Sequence, residues 1–137
     1  MRTAHMVVLI CLAGAWASPG CAPNTTIGAG VAYPAQLGQA RTLDIQAFSD
    51  GVRLTMTNTT GGTIRDARVW VNAYYQLAIE PWAPGQTVVL SLDEFRDEYD
   101  APYRAGGFFA GRNPDKVYQV QIEHADRLDG VVLVKSR

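Results

Sequence analysis

Few residues of this chain have the type and spacing that enzymes use. His124 is the one histidine after Cys21, and no serine or cysteine stands in a nucleophile turn of the G-x-S-x-G form. Zinc needs three or four nitrogen or sulfur ligands, which one histidine and one cysteine do not supply. The sequence also lacks a glycine-rich phosphate-binding motif. We therefore expect no cofactor, no metal and no enzyme activity, and the one enzymatic alternative is a hydrolase that uses two carboxylates.

Acidic residues form the densest charge cluster: Asp93, Glu94, Asp97, Glu98 and Asp100 lie within eight residues. Hard cations such as calcium take oxygen ligands of this kind. The spacing does not match a D-x-[DN]-x-[DN]-G loop, however, and 91–94 has the form of a helix capping box. Carboxylates also suit the first turn of a helix, where they meet the positive end of its dipole. We predict a short helical turn over 93–98 with a solvated acidic face.

Aromatic residues provide a candidate binding site. Trp70, Tyr74, Tyr75 and Trp82 fall within thirteen residues, and tyrosine and tryptophan are favoured anchors at interfaces. Strand alternation turns Trp70 away from the apolar face of its strand, and prolines on both sides hold Trp82 rigidly. We select Trp70, Tyr75 and Trp82 as binding residues for a polysaccharide or a protein. The alternative is that these rings cap the core, because large rings are usually mostly buried.

The last candidate is lipid chemistry at Cys21. A short basic start precedes the apolar run MVVLICLAG, and small residues follow it. This pattern is typical of a secretory signal peptide, and the run is shorter than the roughly 20 apolar residues of a membrane-spanning helix. Ser18-Pro19-Gly20-Cys21 resembles the bacterial lipobox, whose cysteine receives a diacylglyceryl group. We predict a signal peptide at 1–20 and lipid on Cys21; the alternative is cleavage after Ala17 and a soluble secreted or periplasmic protein.

Glycine and proline punctuate the segment that follows Cys21, as far as Arg41, and such a composition buries little surface. We predict that 21–41 carries the lipid and forms a flexible tether; the alternative is an irregular first strand around Ile27–Tyr33. The formal net charge of −1 lacks the basic surplus of nucleic-acid-binding proteins. The expected partners are therefore the membrane, through Cys21, and an envelope protein or polysaccharide, without nucleic acid.

From Thr42 onward, apolar and polar residues alternate in short runs that turn residues separate. The predicted strands cover 42–47, 52–57, 67–72, 74–79, 87–92, 117–123 and 131–135. Turns are predicted at 49–51, 58–62, 84–85 and 126–130, and 101–113 is a loop with buried aromatic anchors. About seven strands at roughly ten-residue spacing favour an all-β fold, an antiparallel immunoglobulin-like β-sandwich with one short helical turn, as a single domain over 42–137.

A series of local features supports a class-level resemblance. The N-T-T turn at 58–60, a valine-rich strand, a tyrosine-containing strand, Pro84-Gly85, and Asp93-Glu94-Phe95 before an aromatic glycine loop occur in this order. The series resembles the compact immunoglobulin-like domains of many uncharacterised bacterial lipoproteins over residues 42–135. That resemblance implies a binding or spacer module without catalytic residues. The expected function is a non-catalytic binding or structural module of the cell envelope, and the alternative is a secreted carbohydrate-binding domain that uses the aromatic residues.

Overall fold

The computed structural model describes residues 30–108, 110 and 113–135, and this part of the chain is almost entirely β-structure and irregular loops. Its seven strands are β1 (Gln39–Ser49), β2 (Arg53–Thr57), β3 (Ala67–Val71), β4 (Tyr75–Ile79), β5 (Thr87–Ser91), β6 (Val120–His124) and β7 (Arg127–Lys135). Two short 3-10 turns, Ala35–Leu37 and Leu92–Glu94, are the helical elements of the described residues. The prediction of an all-β fold with about seven strands is confirmed.

The strands form one mixed sheet in the order β4-β3-β6-β7-β1-β2-β5, which curls into a half-barrel. β1 and β7 run parallel, and the other neighbouring pairs are antiparallel. The predicted antiparallel immunoglobulin-like sandwich is not confirmed, because the first and last strands lie side by side within a single sheet. Alternation of apolar and polar residues is the same in both architectures, since each strand buries one face in either case.

The turn between β1 and β2 lies where the sequence predicts it. The Asp50 carboxylate accepts the backbone N–H of Arg53 at 2.7 Å and that of Val52 at 2.9 Å. These hydrogen bonds to the charged form lower the pKa of the Asp50 carboxyl group. The turn therefore depends on an ionised aspartate at its first position.

The turn between β6 and β7 is shorter than predicted. It consists of Ala125 and Asp126, whose φ angles of 48° and 55° are both positive, as in the two-residue turns that suit the twist of a hairpin. β7 begins directly afterwards at Arg127. The predicted turn over 126–130 is therefore wrong, and residues 127–130 belong to the sheet.

The predicted helical turn over 93–98 is present only in part. A single 3-10 turn covers Leu92–Glu94. The hydroxyl group of Ser91 hydrogen-bonds to the Asp93 carboxylate instead of a backbone N–H, so the capping box does not form. The backbone is already extended at Phe95, where the chain leaves to pair with another strand.

One face of the curled sheet holds the hydrophobic core. Strand residues of this core are Leu43, Ile45, Ala47, Leu54, Met56, Ala67, Val69, Val71, Val120, Ile122 and Val131. Side chains from loops complete it, and the largest are Trp82, Leu92, Phe95 and Tyr103. The buried Tyr103 confirms an aromatic anchor in the predicted loop.

The opposite face of β3 and β6 is covered as well. The Tyr33 ring meets the Trp70 ring edge-on, with the ring centroids 5.3 Å apart. The Tyr33 hydroxyl donates to Gln121 Oε1 at 2.9 Å, and Gln121 Nε2 donates to Gln39 Oε1 at 3.0 Å. The described part of the predicted tether, from Gly30 onward, therefore packs on the sheet, and β1 begins ahead of the predicted domain boundary at 42.

Trp82 closes the half-barrel at one place, which we call the Trp82 closure. Its backbone pairs with Ile64 at 2.8 and 3.0 Å, and its indole N–H donates to the carbonyl oxygen of Gln86 at 2.7 Å. The buried Asn58 side chain donates to the Trp82 carbonyl oxygen at 2.8 Å. The N-T-T sequence at 58–60 is thus a turn that ties the β4 side to the β5 side.

A second closure, the Arg96 closure, lies near the end of β5. The N–H of Gln76 in β4 donates to the Arg96 carbonyl oxygen at 2.8 Å, and the Arg96 N–H donates to the Gln76 carbonyl oxygen at 3.0 Å. The Tyr103 N–H donates to the Phe95 carbonyl oxygen at 3.0 Å. The segment that leaves β5 therefore pairs with the outer edge of β4 and connects the two edges of the sheet.

Candidate functional site

The structure buries two of the three predicted aromatic binding residues. Trp70 and Trp82 are fully buried, and each indole N–H has an internal acceptor, Glu123 Oε2 for Trp70 and the Gln86 carbonyl oxygen for Trp82, both at 2.7 Å. Neither ring presents a flat surface to a ligand. Cys21, the predicted lipidation site, lies outside the described residues.

Tyr75, the third predicted binding residue, is half-buried in a cluster of polar and aromatic side chains. Its ring packs edge-on against those of Tyr74 and Tyr103, with centroids 5.0 Å apart in each pair. Its hydroxyl donates to Asp115 Oδ2 at 3.4 Å, and Arg104 binds the same carboxylate with two nitrogens at 2.9 and 3.1 Å. Burial and the charge of Asp115 raise the pKa of Tyr75. Tyr75 therefore takes part in loop packing.

One member of the acidic cluster, Asp97, stabilises a turn. Asp97 is buried, and its Oδ1 accepts the backbone N–H groups of Tyr99 and Ala101, both at 2.8 Å. Among the described residues, no group of three or more His, Cys, Asp or Glu side chains is placed to hold a metal ion. The sequence prediction of a cluster without a metal role stays a prediction for the chain as a whole.

A recess lies at the end of the sheet next to the β6–β7 hairpin, and we call it the hairpin recess. It has a cavity volume of about 820 Å³. The start of β3, the end of β4 and the hairpin turn surround it. Its polar lining is largely charged and includes Arg65, Arg68, Glu80, Glu123, His124 and Asp126. A concave site of this size is within the usual range for ligand sites.

Behind the recess lies a buried carboxylate, Asp129, which is fully buried. Three side chains lie close to its Oδ2 atom. The distances to this oxygen are 3.1 Å from a guanidinium nitrogen of Arg127, 3.3 Å from His124 Nε2 and 3.5 Å from Arg41 Nε. Its Oδ1 has no hydrogen-bond partner. We call these four residues the Asp129 cluster, and His124 connects it to the recess because it also lines the cavity.

The β6–β7 register explains how the Asp129 cluster forms. His124 pairs with Arg127 across the two-residue turn, and Asp129 pairs with Ile122. Paired residues of an antiparallel ladder share a face, so His124, Arg127 and Asp129 project to the same side. The parallel pairing of β1 with β7 brings Arg41 opposite Asp129. A buried Asp without these partners would cost several kcal/mol.

Two arginines line the recess together with four carboxylates, those of Asp66, Glu80, Glu123 and Asp126. Arg68 NH1 lies 3.6 Å from Glu123 Oε2, an oxygen that also accepts the Trp70 indole N–H. The Arg68 Nε atom is buried without a partner. Arg65 is exposed, and the structure shows no ion pair for it within the described residues. Guanidinium donors of this kind form strong paired hydrogen bonds with carboxylates and phosphates.

No protein-family model, curated protein or solved structure gives a significant match to this chain. The chemistry of the site is therefore the basis for assigning a function. In the ranges 30–108, 110 and 113–135, no helix is long and apolar enough to cross a membrane.

His124 and Asp129 together resemble part of a catalytic dyad, but their hydrogen bonds favour a structural role. Within the described chain, no hydroxyl or thiol group hydrogen-bonds to His124, while Asp129 is shared with two arginines. Sequence reasoning missed Asp129, because 126–130 looked like a turn. The available signal was a charged residue inside the strand run Leu128-Asp129-Gly130-Val131, which indicates a buried and paired carboxylate.

Proposed function

We propose that this chain is a lipid-anchored protein of the bacterial cell envelope and that its β-domain is a non-catalytic binding module. The anchor is a diacylglyceryl group on Cys21, and the hairpin recess is the binding site. The observation that carries the binding assignment is the pair of arginines in the recess: Arg65 is exposed, and the buried Arg68 Nε atom has no hydrogen-bond partner.

The separation of Gly30 from Cys21 limits how far the domain can lie from such an anchor. Nine peptide units link Cys21 to Gly30, the first described residue, and an extended chain spans at most about 3.3–3.6 Å per residue. Lipid on Cys21 would therefore hold the domain within about 30 Å of the bilayer. A module at this distance meets other envelope proteins near the membrane surface.

The lining of the recess favours a protein segment over a polysaccharide. Apolar contacts come from Ala67, Ala78, Ile79 and Pro81, and the lining contains no tryptophan, tyrosine or phenylalanine ring. Sugar rings bind most readily by packing on exposed aromatic faces, which this recess lacks. A peptide segment suits it better, because its carboxylate can accept from the Arg68 guanidinium, its amino groups can donate to the acidic side chains, and an adjacent apolar side chain can contact Ile79.

The anchor is tested by cell fractionation of Cys21→Ala. We expect the wild-type chain in the membrane fraction and the variant in the soluble exported fraction, because several acyl chains bind membranes firmly. Cys11→Ala is the matched control, since Cys11 lies in the apolar run and its loss leaves the lipobox intact. A wild-type chain that is already soluble would show that cleavage occurs near Ala17 and that the anchor proposal is wrong.

The recess is tested with a library of short peptides that carry free carboxyl groups. Arg68→Gln is expected to weaken binding about tenfold or more, because a hydrogen bond to a charged group contributes ~1.5–3 kcal/mol. Arg53→Gln is the control, since Arg53 is an exposed arginine at the start of β2 and pairs with Asp50 at 3.2 Å. Equal affinity for both variants, or no binding by any peptide, would contradict the recess as a carboxylate site.

A further inference from the structure

The β5 edge of the sheet carries backbone groups that no described residue pairs. The N–H of Leu92 donates to the Val52 carbonyl oxygen at 2.8 Å, and the β2–β5 register continues without a break from that pair. Hydrogen-bonded pairs alternate along an antiparallel ladder, so the even-numbered residues of β5 bond to β2. The backbone groups of the odd-numbered residues Thr87, Val89 and Ser91 point away from the sheet.

This edge lacks the features that usually block strand addition. Natural edge strands carry lysine, proline, a bulge or a covering loop. The β5 sequence Thr-Val-Val-Leu-Ser contains no charge and no proline, and its pairing with β2 has no register shift. At the other edge, by contrast, the Arg96 closure pairs with β4.

The sequence of β5 is nearly the same read in either direction about Val89. A hydroxyl residue stands at each end, an apolar residue stands next to it, and Val89 lies at the centre. We propose that a second copy of this chain pairs with β5 in antiparallel orientation, with a two-fold axis at Val89. Thr87 then lies opposite the partner's Ser91, and Val89 lies opposite its own equivalent.

The backbone fits this pairing. Because the outward groups belong to the odd-numbered residues, the Val89 pair and the two pairs of Thr87 with Ser91 exchange hydrogen bonds. In the same register Asp93 lies opposite Gly85, so no like charges meet at the ends of the strand. A two-fold interface of one patch with itself is the commonest arrangement of soluble homo-oligomers.

A row of side chains on the outer face of the sheet, apolar except for Thr55, leads to the same edge. Phe48 pairs with Val134 on one side and with Thr55 on the other, and Thr55 pairs with Val89. Phe48 is 43% exposed and Val89 is 58% exposed. Pairing of two β5 strands would continue this row across both copies, and the two Val89 side chains would shield each other from water.

Cysteine cross-linking in the native envelope tests the pairing. In Val89→Cys the Cα atoms of a hydrogen-bonded antiparallel pair are about 5.5 Å apart, within the roughly 4.4–6.8 Å that a disulfide spans. Val132→Cys is the matched control, because Val132 is also an exposed valine (42%) but lies in the interior of the sheet. We expect about tenfold more disulfide-linked dimer for Val89→Cys than for Val132→Cys.

A second variant measures association without a cross-link. Val89→Lys places a charge on the edge and is expected to shift the purified chain from dimer to monomer by light scattering, with an unchanged circular dichroism spectrum. Equal cross-linking at both positions, or a wild-type chain that is monomeric at all concentrations, would overturn the proposal. A disulfide-linked product whose mass differs from twice that of the chain would also overturn it, in favour of a strand from another protein. Each variant is also made with Cys21→Ala, which removes the cysteine that remains after the predicted signal peptide. The readouts then do not depend on lipid at Cys21 or on ligand binding in the recess.

Discussion

The half-barrel is closed at two places by different kinds of interaction. The Trp82 closure buries a large ring completely and supports it with hydrogen bonds from Asn58 and to Gln86. The Arg96 closure consists of two backbone hydrogen bonds to Gln76, and a loop that Tyr103 anchors lies over it. Burial of apolar surface contributes more per residue than a hydrogen bond that replaces one to water. The stability of the domain should therefore depend more strongly on the first closure than on the second.

The largest expected effect is that of Trp82→Ala. Removal of a fully buried tryptophan costs about 3–5 kcal/mol, which is a large part of the roughly 5–15 kcal/mol that stabilises a domain. The free energy of unfolding from urea titration is the measurement. Tyr118→Ala is the control, because its ring is 69% exposed, and a surface change of this kind is expected to stay within about 0.5 kcal/mol.

Similar losses of unfolding free energy in Trp82→Ala and Tyr118→Ala would mean that the Trp82 closure stabilises the domain no more than an exposed side chain does. A second readout is acrylamide quenching of tryptophan fluorescence in Trp70→Phe, in which Trp82 is the sole tryptophan after the predicted signal peptide. Emission that resists quenching agrees with the buried ring. Efficient quenching would contradict the closure and return Trp82 to the exposed binding surface.

The two closures also differ in how visible they are in the sequence. Pro81, Trp82 and Pro84, with the N-T-T turn at 58–60, indicate a rigid aromatic segment, and its use as a plug over the core was one of two alternatives. The pairing of Gln76 with Arg96 has no such signal. A single bridge lacks the alternation that identifies a strand. The sequence after β5 therefore predicts only a helical turn and a loop.

Local sequence patterns have the same limit for the predicted site residues. Alternation correctly places Trp70 on the face opposite Val69. It cannot show that Tyr33 covers that face, because the glycine-rich segment around Tyr33 has no periodic pattern of apolar residues. The strands were predictable since each is a local pattern, whereas the order of strands in the sheet depends on contacts between distant residues. The parallel neighbours β1 and β7, which bring Arg41 to Asp129, are the clearest example.

A smaller effect is expected at the Arg96 closure for Tyr103→Phe. The Tyr103 hydroxyl donates to the Asp115 carbonyl oxygen at 2.8 Å, and loss of one such bond costs about 0.5–1.5 kcal/mol at neutral pH. Burial raises the pKa of Tyr103 from 10.0 to about 12, and the charge of Asp115 adds to the shift. The neutral phenol is therefore the form that the folded state favours.

The sign of the pH dependence follows from that pKa. Above pH 10 the tyrosine ionises in the unfolded chain, while it stays protonated in the folded protein until about pH 12. The stabilising contribution of Tyr103 is complete below pH 10 and is lost as the pH rises to 12. Tyr103→Phe removes this loss, so the difference in unfolding free energy between wild type and variant should shrink across this range. The unfolding free energy of the variant should still fall somewhat at alkaline pH, because the pKa of Tyr75 is raised as well.

Thermal unfolding at several pH values measures the effect, with Tyr118→Phe as an exposed control. A difference that stays constant from pH 8 to 12 would show that Tyr103 does not anchor the loop over the Arg96 closure in its neutral form.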